Sequence, residues 1–325
     1  MKIEGSFIQP FARVNKQNTQ LDWDASQWAK ELGYMKAIGM DLIIIQFAAY
    51  ERQAYFPSKL FPQVGKQDQL ENILSQAQVL GMKVMVGLCL DNEWWKGVDS
   101  KDYFFKELDI NKKMADELWE KYGHYTSFWG WYIPHEIDDM GARPEHIREM
   151  IAGLLLDMGN HLRTLSPGKP IGIAPYYGMH MTPAEFEEWW YKTLQTAKMD
   201  IMMLQDGVGC HRPDIEKDIT PYYAAMQKAC QRTGTEFWSD LEVFDQVCCP
   251  PIDDTPLELW EANPASIERI KRQIELESPF LSKIVCFEFT HYMSPQSADK
   301  SAFCKAKEKL YRDYQAYLID SGEMK

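Results

Sequence analysis

The sequence predicts an α/β fold, a (β/α)8 TIM barrel, with residues 1–325 forming a single domain. Three observations favour this fold. Short apolar and β-branched runs alternate with amphipathic helical patterns, which is typical of a parallel sheet covered by helices. Eight such pairs follow one another, and eight parallel strands close into a barrel without unpaired edges. The sequence also lacks the GxGxxG and P-loop motifs that often accompany an open, doubly wound sheet.

The predicted strands are short runs rich in Ile, Leu, Val and Met. In chain order they are Ser6–Pro10, Asp41–Gln46, Lys83–Leu90, Phe128–Glu136, Pro170–Ala174, Asp200–Gln205, Glu236–Val243 and Lys283–Phe289. Gly39, Gly81 and Gly234 precede the second, third and seventh runs, and glycine commonly ends a helix. These glycines therefore indicate where the chain returns from helix to strand.

The predicted helices follow the strands and repeat their apolar residues with a period near 3.6. They cover Trp28–Ile38, Gln67–Leu80, Asn111–Tyr122, Pro144–Leu165, Pro183–Thr196, Pro221–Arg232, Pro264–Leu276 and Ala302–Ile319. Pro144 suits the first helical turn, where a missing N–H costs no hydrogen bond.

Composition limits the class of partner. The chain is 45% hydrophobic and 26% charged, as expected of a globular protein with a large core. Its net charge is −13, and Lys and Arg are scattered along it, whereas binding to a phosphate backbone needs clustered basic residues. We therefore expect neither a nucleic-acid nor a membrane partner. No heptad or repeat is visible, so a monomer is expected.

The cysteines and the start of the chain bear on its location. The seven cysteines are an odd number, and most lie within apolar segments, as free buried thiols do. The four cysteines within apolar segments are Cys89, Cys230, Cys286 and Cys304. The opening MKIEGSFIQPF has no signal-peptide pattern. We expect a cytoplasmic protein as written, or an exported one if a signal peptide has been removed.

Cys210, His211, Cys248 and Cys249 raise the question of a metal site. Their spacing does not follow the CxxC pattern of structural zinc sites, so ordinary loop and core thiols are the favoured interpretation. We expect neither a metal nor a cofactor.

Chemistry in a TIM barrel lies at the C-terminal ends of the strands and in the loops that follow them. Here those positions are rich in carboxylates, amides, histidines and aromatic rings. The polar members are Gln9, Gln46, Asp91, Glu93, His135, Glu136, Gln205, Asp206, Asp240, Glu242, Glu288 and His291. The aromatic members are Tyr50, Trp94, Tyr176, Tyr177, Trp238 and Tyr292. Rings stack on the apolar faces of sugars and polar groups bind hydroxyls, so this combination predicts a carbohydrate substrate.

Two carboxyl groups are what glycoside hydrolysis requires, one to protonate the leaving oxygen and one to attack the anomeric carbon or activate water. Glu136 and Glu242, at the ends of the fourth and seventh strands, are the candidates. Glu242 competes with Asp240, which shares its strand face, and with Glu288 on the next strand.

Several of these residues have structural alternatives. Glu136 could cap a helix or pair with Arg143, and Asp91 and Glu93 could be ordinary solvated loop charges. His135 and His291 do not belong to an HExxH pattern, which favours a role in orienting carboxylates or binding hydroxyls.

A family resemblance adds to this interpretation. The segments SFIQPF, MKAIGMDLIIIQF, WYIPHEID, LQDGVG, LEVF and FEFTHYMSP resemble a bacterial TIM-barrel family of unknown function that is regarded as glycoside-hydrolase-like. The resemblance spans Ser6 to Pro295. More distantly, a Glu after strand four and another after strand seven is similar to clan A retaining glycoside hydrolases. That likeness implies Glu136 as acid/base and Glu242 as nucleophile. The clan typically has Asn before the acid/base, where this chain has His135.

Two other functions fit the same residues. A barrel with aromatic strand ends could bind a glycan without cleaving it. A metal-dependent sugar isomerase or lyase could use Glu136, Asp206, Glu242, Glu288 and a histidine as ligands.

Overall fold

The computed structural model describes residues 1–14, 17–95, 100–210, 214–247, 261–296 and 301–324. Its centre is a closed barrel of eight parallel strands. These are β1 Ile3–Ile8, β2 Leu42–Ile45, β3 Lys83–Gly87, β4 Phe128–Ile133, β5 Ile171–Ile173, β6 Ile201–Gln205, β7 Glu236–Glu242 and β8 Lys283–Phe287. Each strand pairs with its neighbours in sequence, and β8 pairs with β1 to close the ring. The predicted TIM barrel is confirmed.

Helices follow the strands and cover the outside of the barrel. They are α1 Ala25–Ala37, α2 Gln69–Val79, α3 Lys101–Tyr122, α4 Glu145–Leu165, α5 Pro183–Ala197, α6 Ile215–Thr233, α7 Ile267–Glu277 and α8 Ala302–Asp320. Caps fix several of their starts. Asp24 and Gln27 form a capping box at α1, and Thr182 and Glu185 form one at α5. No helix in the described part of the chain is both long and apolar enough to cross a membrane.

Three helices begin where a cap, and not the predicted residue, fixes them. Ser100 caps α3, so that the helix begins at Lys101, ten residues before the predicted start at Asn111. Asp214 caps α6, so that Pro221 lies inside the helix and not at its first turn. Ser266 caps α7, whereas Pro264 belongs to a short strand. A side chain that accepts the free N–H groups of a first turn outweighs the preference of proline for that turn.

The two faces of the barrel strands pack against different partners, because side chains alternate along a strand. The inward face forms a compact cluster within the barrel. It contains Phe7, Leu42, Ile44, Met85, Tyr132, Ala174, Ile201, Met203, Trp238 and Val285. The outward face packs against the helices in a larger core that includes Trp28, Trp131 and Trp190. The interior is therefore filled, and a substrate can approach only at its ends.

Short antiparallel pairs enlarge the loops at the C-terminal end of the barrel. Phe11–Val14 pairs with Gln17–Gln20 after β1, and Phe244–Gln246 pairs with Ala262–Pro264 after β7. Ala49–Tyr50 lies between Gln53–Ala54 and Cys89–Leu90, and so joins the loops after β2 and β3. These extensions surround the end of the barrel at which the predicted site residues lie.

Candidate active site

Glu136 lies three residues beyond the end of β4, and the residue as a whole is half-buried, with its carboxyl in the buried part. The indole N–H of Trp94 donates to its main-chain carbonyl at 2.9 Å. Burial of the carboxyl, together with the charge of Asp138, raises the pKa of Glu136 to about 7, while a hydrogen bond from Gln205 opposes that rise. No ion pair joins it to Arg143 among the described residues. A carboxyl with this pKa can carry a proton at neutral pH and release it to a leaving group.

A small cavity of about 80 Å³ adjoins Glu136. Its walls are Trp94, Glu136, Ile137, Asp138, Met140, Gly141, Ala142 and Ile151. Asp138 accepts the N–H groups of Met140 and Gly141 at 2.7 and 2.6 Å, which folds the loop after β4 around the cavity. A larger concavity lies at the opposite end of the barrel, between α5 and α6, away from these carboxylates.

Glu242 is the last residue of β7, and its side chain is buried. Its Oε2 accepts the main-chain N–H of Cys210 at 3.1 Å, so the loop after β6 contacts this carboxylate directly. That contact depends on Gly209, because a Cβ there would lie 2.9 Å from Glu242 Oε2 and 2.3 Å from Phe244 O. The loop after β6 can approach Glu242 only with a residue that lacks a side chain at this point.

Asp240 lies on the same strand face as Glu242, two residues deeper in the barrel. Burial raises the pKa of Asp240 well above its usual range, and the charges of Glu242, Asp206 and Glu136 add to the effect. Glu136 and Glu242 both lie at the C-terminal end of the barrel strands, and the charges of both reach Asp240. A protonated Asp240 is a poor nucleophile, and this favours Glu242 over Asp240.

Asp206 was expected to contact substrate, but its side chain is fully buried. Its Oδ1 accepts the N–H groups of Val208 and Glu242 at 3.0 and 3.3 Å, and Gln273 Nε2 donates to Oδ2. The carboxylate therefore supports the loop beneath the site, because the loop N–H groups need an acceptor once they are buried. Its neighbour Gln205 contacts Glu136, and its Nε2 also donates to Ala174 O at 2.9 Å.

Glu288, the alternative nucleophile, is 0% exposed. Its carboxylate caps the short helix Phe289–Tyr292 by accepting the N–H groups of Thr290 at 3.1 Å and His291 at 2.8 Å. The Nδ1 atom of His291 also lies against it. The peptide bond between Phe287 and Glu288 is cis. These contacts occupy the carboxylate with structural hydrogen bonds and give His291 the carboxylate partner expected of it.

The side chains after β3 divide between structural and solvated positions. Trp94 is buried, and its ring lies edge-on to His135, with centroids 4.8 Å apart. His135 Nε2 lies 3.4 Å from Glu107 Oε2. Asp91 pairs with Arg52 at 3.2 Å and accepts the N–H of Glu93 at 3.0 Å, whereas the Glu93 side chain is 59% exposed. For Glu93 this matches the alternative of a solvated loop charge.

The amides after β1 and β2 meet at the barrel mouth. Gln9 Nε2 donates to Gln46 Oε1 at 2.5 Å, which joins the two strand ends. Tyr50, in the loop after β2, stacks on Phe47 with centroids 4.9 Å apart and remains partly exposed.

The aromatic residues expected to face a sugar occupy different environments. Tyr176 is partly exposed at the end of β5. Tyr177 is 0% exposed and stacks on Tyr222, so it belongs to the core between barrel and helices. Trp238 is 1% exposed and stacks on Trp129 near the start of β4, at the N-terminal end of the barrel. The predictions that Tyr177 and Trp238 line the cleft do not match these positions. For Trp238 the reason is its place near the start of β7, because the position of a residue along its strand decides which end of the barrel it lies at.

Tyr292 is also buried, and its ring lies 5.2 Å from that of Phe244.

Of the possible metal ligands discussed above, His211, Cys248 and Cys249 lie outside the described residues. Within the described residues, no three His, Cys, Asp or Glu side chains are grouped to hold one metal ion.

Sequence patterns missed two sets of supporting residues. One set is Arg269, Gln273 and Glu277 on α7. Their four-residue spacing, on a helix that also carries buried isoleucines, was the signal in the sequence for a polar stripe facing inward. The other is Asp139, which accepts the N–H groups of Gly178, His180 and Met181 at 2.6 to 2.9 Å and so ties the loop after β4 to the loop after β5.

Comparison with known proteins identifies the family. The model of DUF4434, a domain of unknown function, matches residues 3–299. The chain belongs to the DUF4434 family. The family predicted from the sequence motifs is thereby confirmed. This DUF4434 chain is also 26% identical over 194 residues to the uncharacterized protein YbcH of Escherichia coli (strain K12). That match covers 56% of this chain and 62% of YbcH.

Solved structures similar to this DUF4434 chain include several whose names are those of glycoside hydrolases. A candidate alpha-L-fucosidase from Bacteroides thetaiotaomicron is 25% identical with a TM-score of 0.77, over 98% of this chain and 94% of that one. A GH99 endo-alpha-mannosidase from the same species is 11% identical with a TM-score of 0.57, over 98% and 96% of the two chains. A GH18 chitinase from Pseudoalteromonas aurantia is 12% identical with a TM-score of 0.54, over 98% of both chains. The last two similarities concern the fold.

Proposed function

We propose that this DUF4434 protein is a glycoside hydrolase in which Glu136 is the acid/base and Glu242 the nucleophile. The observation that carries the proposal is that Glu136, just after β4, and Glu242, at the end of β7, lie at the same C-terminal end of the barrel, and the charges of both add to the raised pKa of Asp240. Glu136 has the raised pKa of a proton donor. Glu242 Oε2 accepts the main-chain N–H of Cys210 at 3.1 Å, which holds this oxygen in place at the end of β7.

The proposed reaction has two steps. Glu136 donates its proton to the glycosidic oxygen while a Glu242 oxygen bonds to the anomeric carbon, and the leaving alcohol departs. The ionised Glu136 then removes a proton from water, whose oxygen attacks the anomeric carbon and displaces Glu242. Glu136 ends protonated and Glu242 ends as a carboxylate, as at the start.

The surroundings of the two carboxyls support a carbohydrate substrate. Tyr50 and Tyr176 present partly exposed rings near the strand ends, and the Gln9–Gln46 pair supplies amide donors and acceptors. Rings and amides of this kind bind the apolar faces and the hydroxyls of a sugar. The overall likeness to the candidate alpha-L-fucosidase makes fucosides the first substrates to test.

The test is hydrolysis of aryl glycosides, beginning with α-L-fucosides, and of natural oligosaccharides. Wild type is compared with Glu136→Gln, Glu242→Gln and the control Glu120→Gln, which alters a solvent-exposed carboxylate on the outer helix α3. We expect release of sugar by wild type and the control, and a loss of about 100-fold to 10,000-fold in the two site variants. NMR of the first-formed anomer reports retention or inversion.

Two results would contradict the proposal. Full activity in either site variant removes that residue from the reaction. A wild type that binds glycans across a broad panel but cleaves none would instead support a carbohydrate-binding barrel, the second function considered from the sequence.

A further inference from the structure

The helix α7 presents three polar side chains to the barrel on one stripe. Arg269, Gln273 and Glu277 are spaced four residues apart, so they lie above one another on a helix face. Gln273 and Glu277 are completely buried. Burying such groups costs free energy unless they make hydrogen bonds, so the partners of this stripe indicate its purpose.

Two members of the stripe bind the main chain at the end of β7. Arg269 Nη2 donates to Glu242 O at 3.0 Å and to Phe244 O at 2.6 Å. Gln273 Nε2 donates to Glu242 O at 3.3 Å. The N–H of Glu242 donates to Asp206 Oδ1 at 3.3 Å. Side chains thus hold both the main-chain N–H and the main-chain carbonyl of Glu242.

The remaining contacts hold Asp206 in place. Gln273 Nε2 donates to Asp206 Oδ2, and the carboxyl of Glu277 is hydrogen-bonded to Asp206. Ser239 Oγ donates to Glu277 Oε2 at 2.6 Å. Burial raises the pKa of Glu277 well above its usual range, and the neighbouring Asp206 charge adds to the effect, which favours a proton held between the two carboxyls.

We propose that Asp206, Arg269, Gln273 and Glu277 form a clamp that positions Glu242, and that Gln273 is its central positioning residue. The inference rests on the proposed function, since it explains how the nucleophile of that reaction is aimed. Gln273 is central because its one amide nitrogen contacts both Asp206 and the carbonyl of Glu242. No member of the clamp needs to touch the substrate.

The experiment compares Gln273→Met, Glu277→Gln and Glu275→Gln with wild type. Gln273→Met keeps the side-chain length and removes the donor. Glu277→Gln replaces the carboxyl by an amide of the same length whose N–H can donate to Asp206. Glu275→Gln is the control, because Glu275 is exposed on the same helix and pairs only with Arg272 among the described residues. Each variant is assayed for kcat and KM on the best glycoside, and its crystal structure is determined.

For Gln273→Met we expect kcat to fall about 100-fold with KM changed by less than about threefold, because a displacement of about 1 Å misaligns a reacting group without removing substrate contacts. Glu277→Gln should keep kcat near the wild-type value, because its amide still donates to Asp206. Glu275→Gln should not change kcat. In the crystal structures, the Glu242 carboxylate should move in Gln273→Met alone. If Gln273→Met does not fold, Gln273→Asn replaces it, since it keeps the amide but shortens its reach.

Normal kcat and an unmoved Glu242 in the Gln273 variant would overturn the clamp. Equal losses in Gln273→Met and Glu277→Gln, with reduced stability in both, would also overturn it in favour of a purely structural role. If wild type hydrolyses no glycoside, the proposed function fails, while the position of Glu242 in the crystal structures still decides whether the clamp exists.

Discussion

The indole N–H of Trp94 donates to the main-chain carbonyl of Glu136 at 2.9 Å. Trp94 follows β3 and Glu136 follows β4, so one hydrogen bond joins two neighbouring catalytic-face loops. The Trp94 ring also packs on His135, the residue before Glu136. The loop that carries the proposed acid is therefore held by a rigid aromatic side chain from the preceding loop.

Replacing Trp94 by Phe removes this donor while keeping an aromatic ring. Beyond the cavity cost that any buried Trp→Phe change carries, we expect the free energy of unfolding to fall by about 1 kcal/mol, the typical value of one hydrogen bond, and kcat to fall about tenfold as Glu136 loses its anchor. Trp189→Phe is the matched control, because the Trp189 indole N–H has no hydrogen-bond partner among the described residues. Equal kcat in both variants would show that the Trp94 contact does not position Glu136.

The raised pKa of Glu136 predicts the pH dependence of the proposed reaction. Protonation of Glu136 is needed for the first step, and its pKa is about 7. Activity should therefore decline as the pH rises above about 7, with kcat/KM reporting the pKa in the free enzyme. Gln205→Leu removes a hydrogen bond that lowers this pKa, so the alkaline limb should move to higher pH. An alkaline limb that stays in place in Gln205→Leu would assign it to another group.

Glu288 tests whether a strand-end carboxylate serves structure or chemistry. In Glu288→Gln the two capping hydrogen bonds and the His291 contact weaken, so we expect a loss of about 1 to 2 kcal/mol in the free energy of unfolding. Activity should stay within about tenfold of wild type, in contrast to Glu242→Gln. A Glu288→Gln protein of normal stability that has lost as much activity as Glu242→Gln would make Glu288 the nucleophile.

Glu31 on α1 makes stability depend on pH. It is fully buried, accepts from Ser294 Oγ at 2.6 Å, and burial raises its pKa to about 7. Between its normal and raised pKa the folded state binds more protons than the unfolded state, so stability falls as the pH rises through this window.

The corresponding variant is Glu31→Gln, which cannot ionise. The free energy of unfolding is measured by chemical denaturation at several pH values. We expect the difference between Glu31→Gln and wild type to shift in favour of the variant by about 2 kcal/mol as the pH rises from 5 to 8. Glu185→Gln serves as a control at an exposed carboxylate whose pKa is lowered. A wild-type-to-Glu31→Gln difference that is constant with pH would refute the assignment.

Period and composition were sufficient to predict the eight strands, because each barrel strand is a buried apolar run that has few other stable conformations. They also placed Glu136 and Glu242 at strand ends. Strand length was overestimated at β4, where the predicted segment continued to Glu136 but the strand ends at Ile133. Pro134 lacks the N–H that a parallel ladder needs, so this boundary was visible in the sequence.

The sequence by itself determined the barrel, its family and the carboxylates available at its mouth, since these follow from local patterns of side chains. Only the tertiary structure decided which of those side chains remain accessible. Tyr177, Asp206 and Glu288 occupy strand-end positions by sequence, yet each is fully buried. Their environment depends on residues far away in the chain, such as Gln273 beside Asp206. Burial and hydrogen bonding arise between elements, and no local pattern records them.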